Sequence, residues 1–90
     1  MKYQIGNIVK MNNGKANYII LCTKNQVLDV NYLKQLKTKL QIKNIEKMAE
    51  NILFPQKGFD YVVSEIKTIL QEDYVVGEQF INVFEEDLVQ

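Results

Sequence analysis

Ninety residues make one domain, since a chain this short buries only about three-fifths of the surface its unfolded form exposes and has no apolar mass for a second core. Apolar residues are 47% and charged residues 24%, with five Tyr, four Phe, one Pro and four Gly, a globular balance that excludes disordered and fibrous classes. The formal charge is zero, and the longest apolar run, Tyr18 to Cys22, falls far short of the roughly 20 residues that cross a bilayer; with no basic-then-apolar leader, a cytoplasmic protein without a membrane segment is expected.

Asn13-Gly14, flanked by Tyr3 to Asn12 and Lys15 to Thr23, predicts a β-hairpin, because a two-residue type I′ turn needs positive φ at both central positions. The implied register pairs Asn12 with Lys15, Met11 with Ala16, Val9 with Tyr18, Asn7 with Ile20 and Ile5 with Cys22. One face then collects Tyr3, Ile5, Val9, Met11, Ala16, Tyr18, Ile20 and Cys22. The other holds Ile8, Ile19 and Leu21 beside Gln4, Lys10 and Asn17, so the second strand is apolar on both sides and belongs at the centre of a sheet.

Leu28, Val30 and Tyr32 alternate like a strand, while Val30, Leu33, Leu36 and Leu40 recur at helical spacing; the reading is a short strand running into a helix from about Asn31 to Leu40. A second stripe, Ile42, Ile45, Met48, Ala49, Ile52 and Leu53, is out of phase with the first. That implies a break near Gln41 to Lys43, with Asn44 as the next N-cap and Pro55 ending the element. Phe59, Val62, Val63, Ile66, Ile69 and Leu70 fit one face of a further helix capped by Asp60, although the β-branched residues also suit a strand. Tyr74 to Val76, Gly77-Glu78 and Gln79 to Phe84 read as a second hairpin, and Glu85 to Leu88 as a closing turn. An echo between Asp60-Tyr61-Val62-Val63-Ser64-Glu65 and Asp73-Tyr74-Val75-Val76-Gly77-Glu78 argues instead that both segments are strands. The expected fold class is α+β: a small antiparallel sheet from N- and C-terminal hairpins, with two to three helices from the central segment packed on it.

The opening Tyr3-Gln4-Ile5-Gly6-Asn7-Ile8-Val9, the Asn-Gly turn and the apolar second strand resemble the start of small SH3-like barrel modules. Ile81-Asn82-Val83-Phe84-Glu85-Glu86-Asp87-Leu88 is similar to the last strand and short turn of such barrels. The resemblance spans about a third of the chain, includes no residue with a chemical role, and implies as an alternative an SH3-like β-barrel with a helical insertion.

The residue inventory argues against catalysis. Histidine is absent, and with it the commonest general acid-base group and metal ligand. Cys22 is single and sits in an apolar run, where a buried thiol of a reducing compartment is expected, so neither a disulfide nor a thiolate zinc cluster can form within the chain. Glu85, Glu86 and Asp87 are consecutive and point alternately if extended, unlike a spaced set of carboxylates for glycoside cleavage or calcium. Gly6, Gly14, Gly58 and Gly77 are isolated and form no phosphate loop. No catalytic residue, metal ligand or cofactor is expected.

All eleven basic residues are lysines. The planar fork that reads guanine edges and clamps phosphate is therefore missing, while an A+T-rich coding bias in a bacterium or its mobile elements explains the same composition. Met1 to Lys47 carries +7 and Met48 to Gln90 carries −7. Lys34, Lys37, Lys39, Lys43 and Lys47 are candidates for non-specific contact with a nucleic-acid backbone, or simply a solvated helix face. Glu72, Asp73, Glu78, Glu85, Glu86 and Asp87, with Tyr74, Phe80 and Phe84 as anchors, are candidates for docking on a basic groove of another protein, or merely balance the lysines. The expected function is that of a small non-enzymatic protein-binding accessory, adaptor or inhibitor, of a size and coding bias that suit a phage or mobile element. A nucleic-acid-binding regulator using Lys34 to Lys47 is the alternative, and a homodimer suits a chain with two opposed charged halves.

Overall fold

β-branched and aromatic residues crowd two stretches, Asn17–Thr23 and Tyr61–Ile69, and these become neighbouring strands at the middle of one sheet. A computed structural model describes residues 2–35, 41–43, 50, 54–76 and 79–90. Its strands are β1 (Ile8–Met11), β2 (Asn17–Thr23), β3 (Gln41–Lys43), β4 (Tyr61–Ile69), β5 (Glu72–Val76), β6 (Ile81–Val83) and β7 (Leu88–Val89); helix α1 is Val30–Gln35 and a 3₁₀ turn covers Glu85–Asp87. The strand order is β3-β5-β4-β2-β1-β7, with β6 also on β4. All ladders are antiparallel except β3–β5, which is parallel.

β2 feeds two cores because its neighbours flank it on both sides and both of its faces are covered. Ile19 and Leu21 join Ile5, Leu28, Leu33 and Val62 on one face, under α1. Ile20 joins Tyr3, Val9, Tyr61, Val63, Val83 and Leu88 on the other. Ile19, Ile20 and Leu21 are at most 1% exposed, and full burial of each contributes about 1.5–3 kcal/mol. Asp29 caps α1 at its start, its Oδ1 accepting the Tyr32 N–H at 3.1 Å. Among the described residues no helix is long and apolar enough to cross a membrane.

The α+β expectation with two to three helices is overturned: the chain is mostly antiparallel sheet, with one short helix and a 3₁₀ turn among the described residues. The predicted helix over Phe59 to Leu70 is β4. Its spacing fits a helical face, but the β-branched Val62 and Val63 are buried on opposite faces of the sheet, a pleated setting that such side chains favour. Ile42, expected to begin a second helical stripe, lies in β3, while most of that stripe and residues 36–40 of the first lie outside the described residues. Nor does the barrel alternative hold, since no ladder joins β3 to β6 or β7 among the described residues.

The second hairpin is corrected as well. β5 and β6 do not pair with each other; both lie antiparallel along β4, β5 on Ile66 to Ile69 and β6 on Tyr61 to Val63. Between Val75 and Ile81 the return arm carries residues 76–80, where β4 offers only Ser64 and Glu65, so one continuous ladder is impossible and the arm divides into two strands. The tight turn falls instead at Leu70 and Gln71, both at positive φ (53° and 67°) between the paired Ile69 and Glu72.

In the first hairpin the Val9–Tyr18 register is as expected, but the pairing of Ile5 with Cys22 on Val9's face is not. Gly6, at φ 90°, donates to the Ile20 carbonyl while Ile20 donates to the Asn7 carbonyl, so two residues face one. This glycine bulge turns Ile5 to the opposite side of the sheet. A matching irregularity between Ile20 and Cys22, where β2 meets β4, sends Cys22 to the same side as Ile5. The Asn13-Gly14 turn also differs from type I′. Only Asn13 is at positive φ (63°), closing a turn in which Gly14 donates to the Met11 carbonyl. Asn12 is instead drawn to the chain's end: its backbone N–H donates to the Asp87 carbonyl and its Nδ2 to the Glu86 carbonyl, while Lys10 and Met11 pair with β7.

Two predictions follow from these backbone and burial constraints. Left-handed φ is unfavourable for Leu and Gln and cheap for Asn and Gly, so the double change Leu70→Asn, Gln71→Gly should raise unfolding free energy by about 1 kcal/mol in a urea titration. The Cys22 thiol is pushed up from 9.0 to about 11 by burial, an effect only partly offset by its hydrogen bond with the Val62 backbone. Above pH 9 the unfolded chain therefore releases this proton while the folded chain keeps it, and stability present below pH 9 is lost on the way to pH 11. Roughly 1 kcal/mol should disappear between pH 8 and pH 10 in the parent protein, and much less in Cys22→Ala.

Candidate functional site

Three backbone devices meet where β4 begins. A turn in which the Phe59 N–H donates to the Gln56 carbonyl needs Gly58 at φ 96°, and it delivers Phe59 to the surface. Asp60 then spans three segments: its N–H donates to the Val83 carbonyl, its carbonyl accepts the Lys24 N–H, and its Oδ1 lies 3.1 Å from Lys24 Nζ. Finally, Asp60 Oδ2 accepts the Glu85 N–H at 2.8 Å, which fixes the start of the 3₁₀ turn.

Glu85 completes the joint. Its Oε1 accepts the Tyr61 hydroxyl at 2.5 Å and the Lys2 backbone N–H at 2.6 Å, and the Tyr61 hydroxyl accepts the Tyr3 N–H at 3.0 Å. The Tyr61 hydroxyl also holds Glu85 below the usual carboxylate range, with the Lys2 N–H adding to the effect. Asp60 is lowered chiefly by the Glu85 N–H and then by Lys24. Burial, followed by the hydrogen bond to Glu85, pushes Tyr61 up to about 12. Two carboxylates thus stand side by side, yet both are held ionised by donors. That is the opposite of what a general acid needs, and it makes them structural ties.

The joint presents aromatics. Phe84 stacks on Phe59 with ring centroids 4.6 Å apart and planes at 26°. Phe84 is 38% and Phe54 58% exposed. Phe54 and Phe59, with Pro55, Lys24, Lys57 and Asp60, line a cleft of about 290 Å³. Beyond Phe84 follow Glu86 and Asp87, both exposed. A larger cleft, about 460 Å³, opens between Ile5 and the loop before α1, with Val27 and Tyr32 on its wall; among the described residues its ionisable groups are Tyr32 and Asp29, the latter engaged in capping the helix.

The structure divides the acidic candidates into two groups. Phe84, Glu85, Glu86 and Asp87 come together, with Glu85 serving the joint and not the surface. Glu72 and Asp73 lie at the far end of β4, roughly 25 Å away by strand rise. There Asp73 is engaged by the Thr68 hydroxyl, and Tyr74 is buried rather than an exposed anchor. Phe80 packs against the core beneath α1, and Glu78 lies outside the described residues. Of the lysine candidates, Lys34 is exposed in α1 and Lys43 falls in β3, so one basic helix does not carry both; Lys37, Lys39 and Lys47 lie outside the described residues. Missed from sequence were Phe54, Lys57, Phe59 and Asp60. Gly58 after Pro55 signals a turn there, but the helical spacing of Phe59 concealed it.

The chain matches no protein-family model, no curated protein and no solved structure.

Because Glu85 is kept ionised by contacts made only in the folded chain, its contribution is present above about pH 4.5 and lost as pH falls through its lower folded value. Glu85→Gln should therefore flatten the acid limb of a stability-pH profile measured by urea unfolding. An unchanged acid limb would show that this carboxylate does not hold the joint.

Proposed function

We propose that the chain is a non-enzymatic protein-binding module, an accessory, adaptor or inhibitor of the cytoplasm. Its docking face is Phe54, Phe59 and Phe84, rimmed by Glu86 and Asp87. The observation that carries this reading is the Phe59–Phe84 stack held at the surface by the Asp60–Glu85 joint. A ring pair kept in partial contact with water gains less from burial than one turned into the core, and clustered aromatics with a charged rim are the usual make-up of a binding hot spot. The acidic rim favours a partner that brings lysines or arginines to it.

The test spares Glu85, whose loss would loosen the fold. Phe84→Ser combined with Glu86→Lys and Asp87→Lys should abolish recovery of the partner bound by the parent chain in affinity capture from native cytosol, with the folded circular-dichroism signature retained. Undiminished recovery would remove this face from consideration.

A further inference from the structure

We propose that the partner seated on the phenylalanine face is a second copy of this chain, an inference that rests on the docking reading above. The face carries both signs of charge. Lys24 and Lys57 line the cleft with Phe54 and Phe59, whereas Glu86 and Asp87 lie in the turn that leaves Phe84. Lys24 is engaged by Asp60, but Lys57, Glu86 and Asp87 are exposed and form no ion pair with another described residue. A uniformly basic partner is opposed by the lysines, and a uniformly acidic one by Glu86 and Asp87. The pattern is met by a surface with the same alternation presented in reverse, which a two-fold axis supplies automatically: residue i meets j, and j meets i. An axis over Phe84 that brings each copy's Lys57 to the other's Glu86 and Asp87 would make two contacts not formed within one chain among the described residues. It also withdraws both ring pairs and both Phe54 side chains from water. A formal charge of zero leaves no long-range repulsion between copies.

Sedimentation equilibrium on the whole chain tests this directly. The parent should approach twice its 10.5 kDa mass at about 100 µM, a concentration that the weakest interfaces of standard size already satisfy. Phe84→Ser should weaken association about a hundredfold. Two charge variants at exposed positions guard against loss of folding. Lys57→Glu alone, and Glu86→Lys with Asp87→Lys alone, should each weaken self-association about tenfold, because like charges then face each other twice. Mixing the two variants should restore a dimer, since both contacts become attractive in the mixed pair. A parent that remains at monomer mass overturns the inference, as does a dimer that none of these changes affects or charge variants that fail to associate on mixing. Loss of cytosolic capture in the triple variant, with a monomeric parent, would separate a face made for another protein from one made for itself.

Discussion

The short hydrogen bond from the Tyr61 hydroxyl to Glu85 is the constraint on which the surface depends. It ties the start of a buried strand to the turn before the last one, and the same carboxylate oxygen takes the Lys2 N–H, so the first segment and β4 share one acceptor near the end of the chain. Asp60 repeats the device from the opposite side through the Glu85 N–H. Ionised acceptors strengthen such bonds roughly twofold over neutral ones, and partial exclusion of water preserves that gain. Phe84 is the residue immediately before this anchored turn, so the anchor and its stack on Phe59 together set its orientation.

A second constraint lies along β2. Both faces of this one strand are covered, by segments from the ends of the sheet and by helix α1. The glycine bulge opposite Ile20 and the irregularity after it let Ile5 and Cys22 reach the helix side, while Tyr3 and Ile20 remain on the other. The result is two modest cores on either side of one strand. Tyr3 links one of them to the Glu85 joint: its ring meets Tyr61 edge-on at 5.8 Å and its hydroxyl donates to the Leu88 carbonyl.

Local signals survived in the structure, and non-local ones were hidden. The Val9–Tyr18 register was legible because Asn13-Gly14 sits between two apolar stretches, and the double-sided apolar pattern of Tyr18 to Cys22 correctly announced a central strand. Ile5 was misplaced because a bulge at one glycine turns it to the other side while Tyr3 stays on Val9's side, and no residue pattern distinguishes such a glycine from an ordinary one. Phe59 to Leu70 was misleading for another reason: positions 59, 62, 63 and 66 suit a helix, and only burial against β2 on one side and β5 and β6 on the other favours the extended form. The echo of Asp-Tyr-Val-Val at 60 and 73 was the better guide, since both copies are strands. Half of the acidic and aromatic surface was legible from Phe84 to Asp87. The other half depends on a turn at Gly58 that brings Phe59 across from a distant part of the chain, and no spacing rule reports that.

Beyond Ile66, β4 has no partner on its β2 side among the described residues, and Lys67 to Ile69 are matched there by β5. The sheet thus ends in a β4–β5 arm, edged by β3 as far as Tyr74, whose tip is an almost fully solvated leucine. Such an arm can open and close while the cores stay shut, so its amides should trade protons with solvent far sooner than those of Tyr61 to Val63, which are flanked on both edges. Protease susceptibility at the tip and persistence of the remaining sheet are then two faces of one layout: the molecule has a lever that can be cut without dismantling the body that holds it.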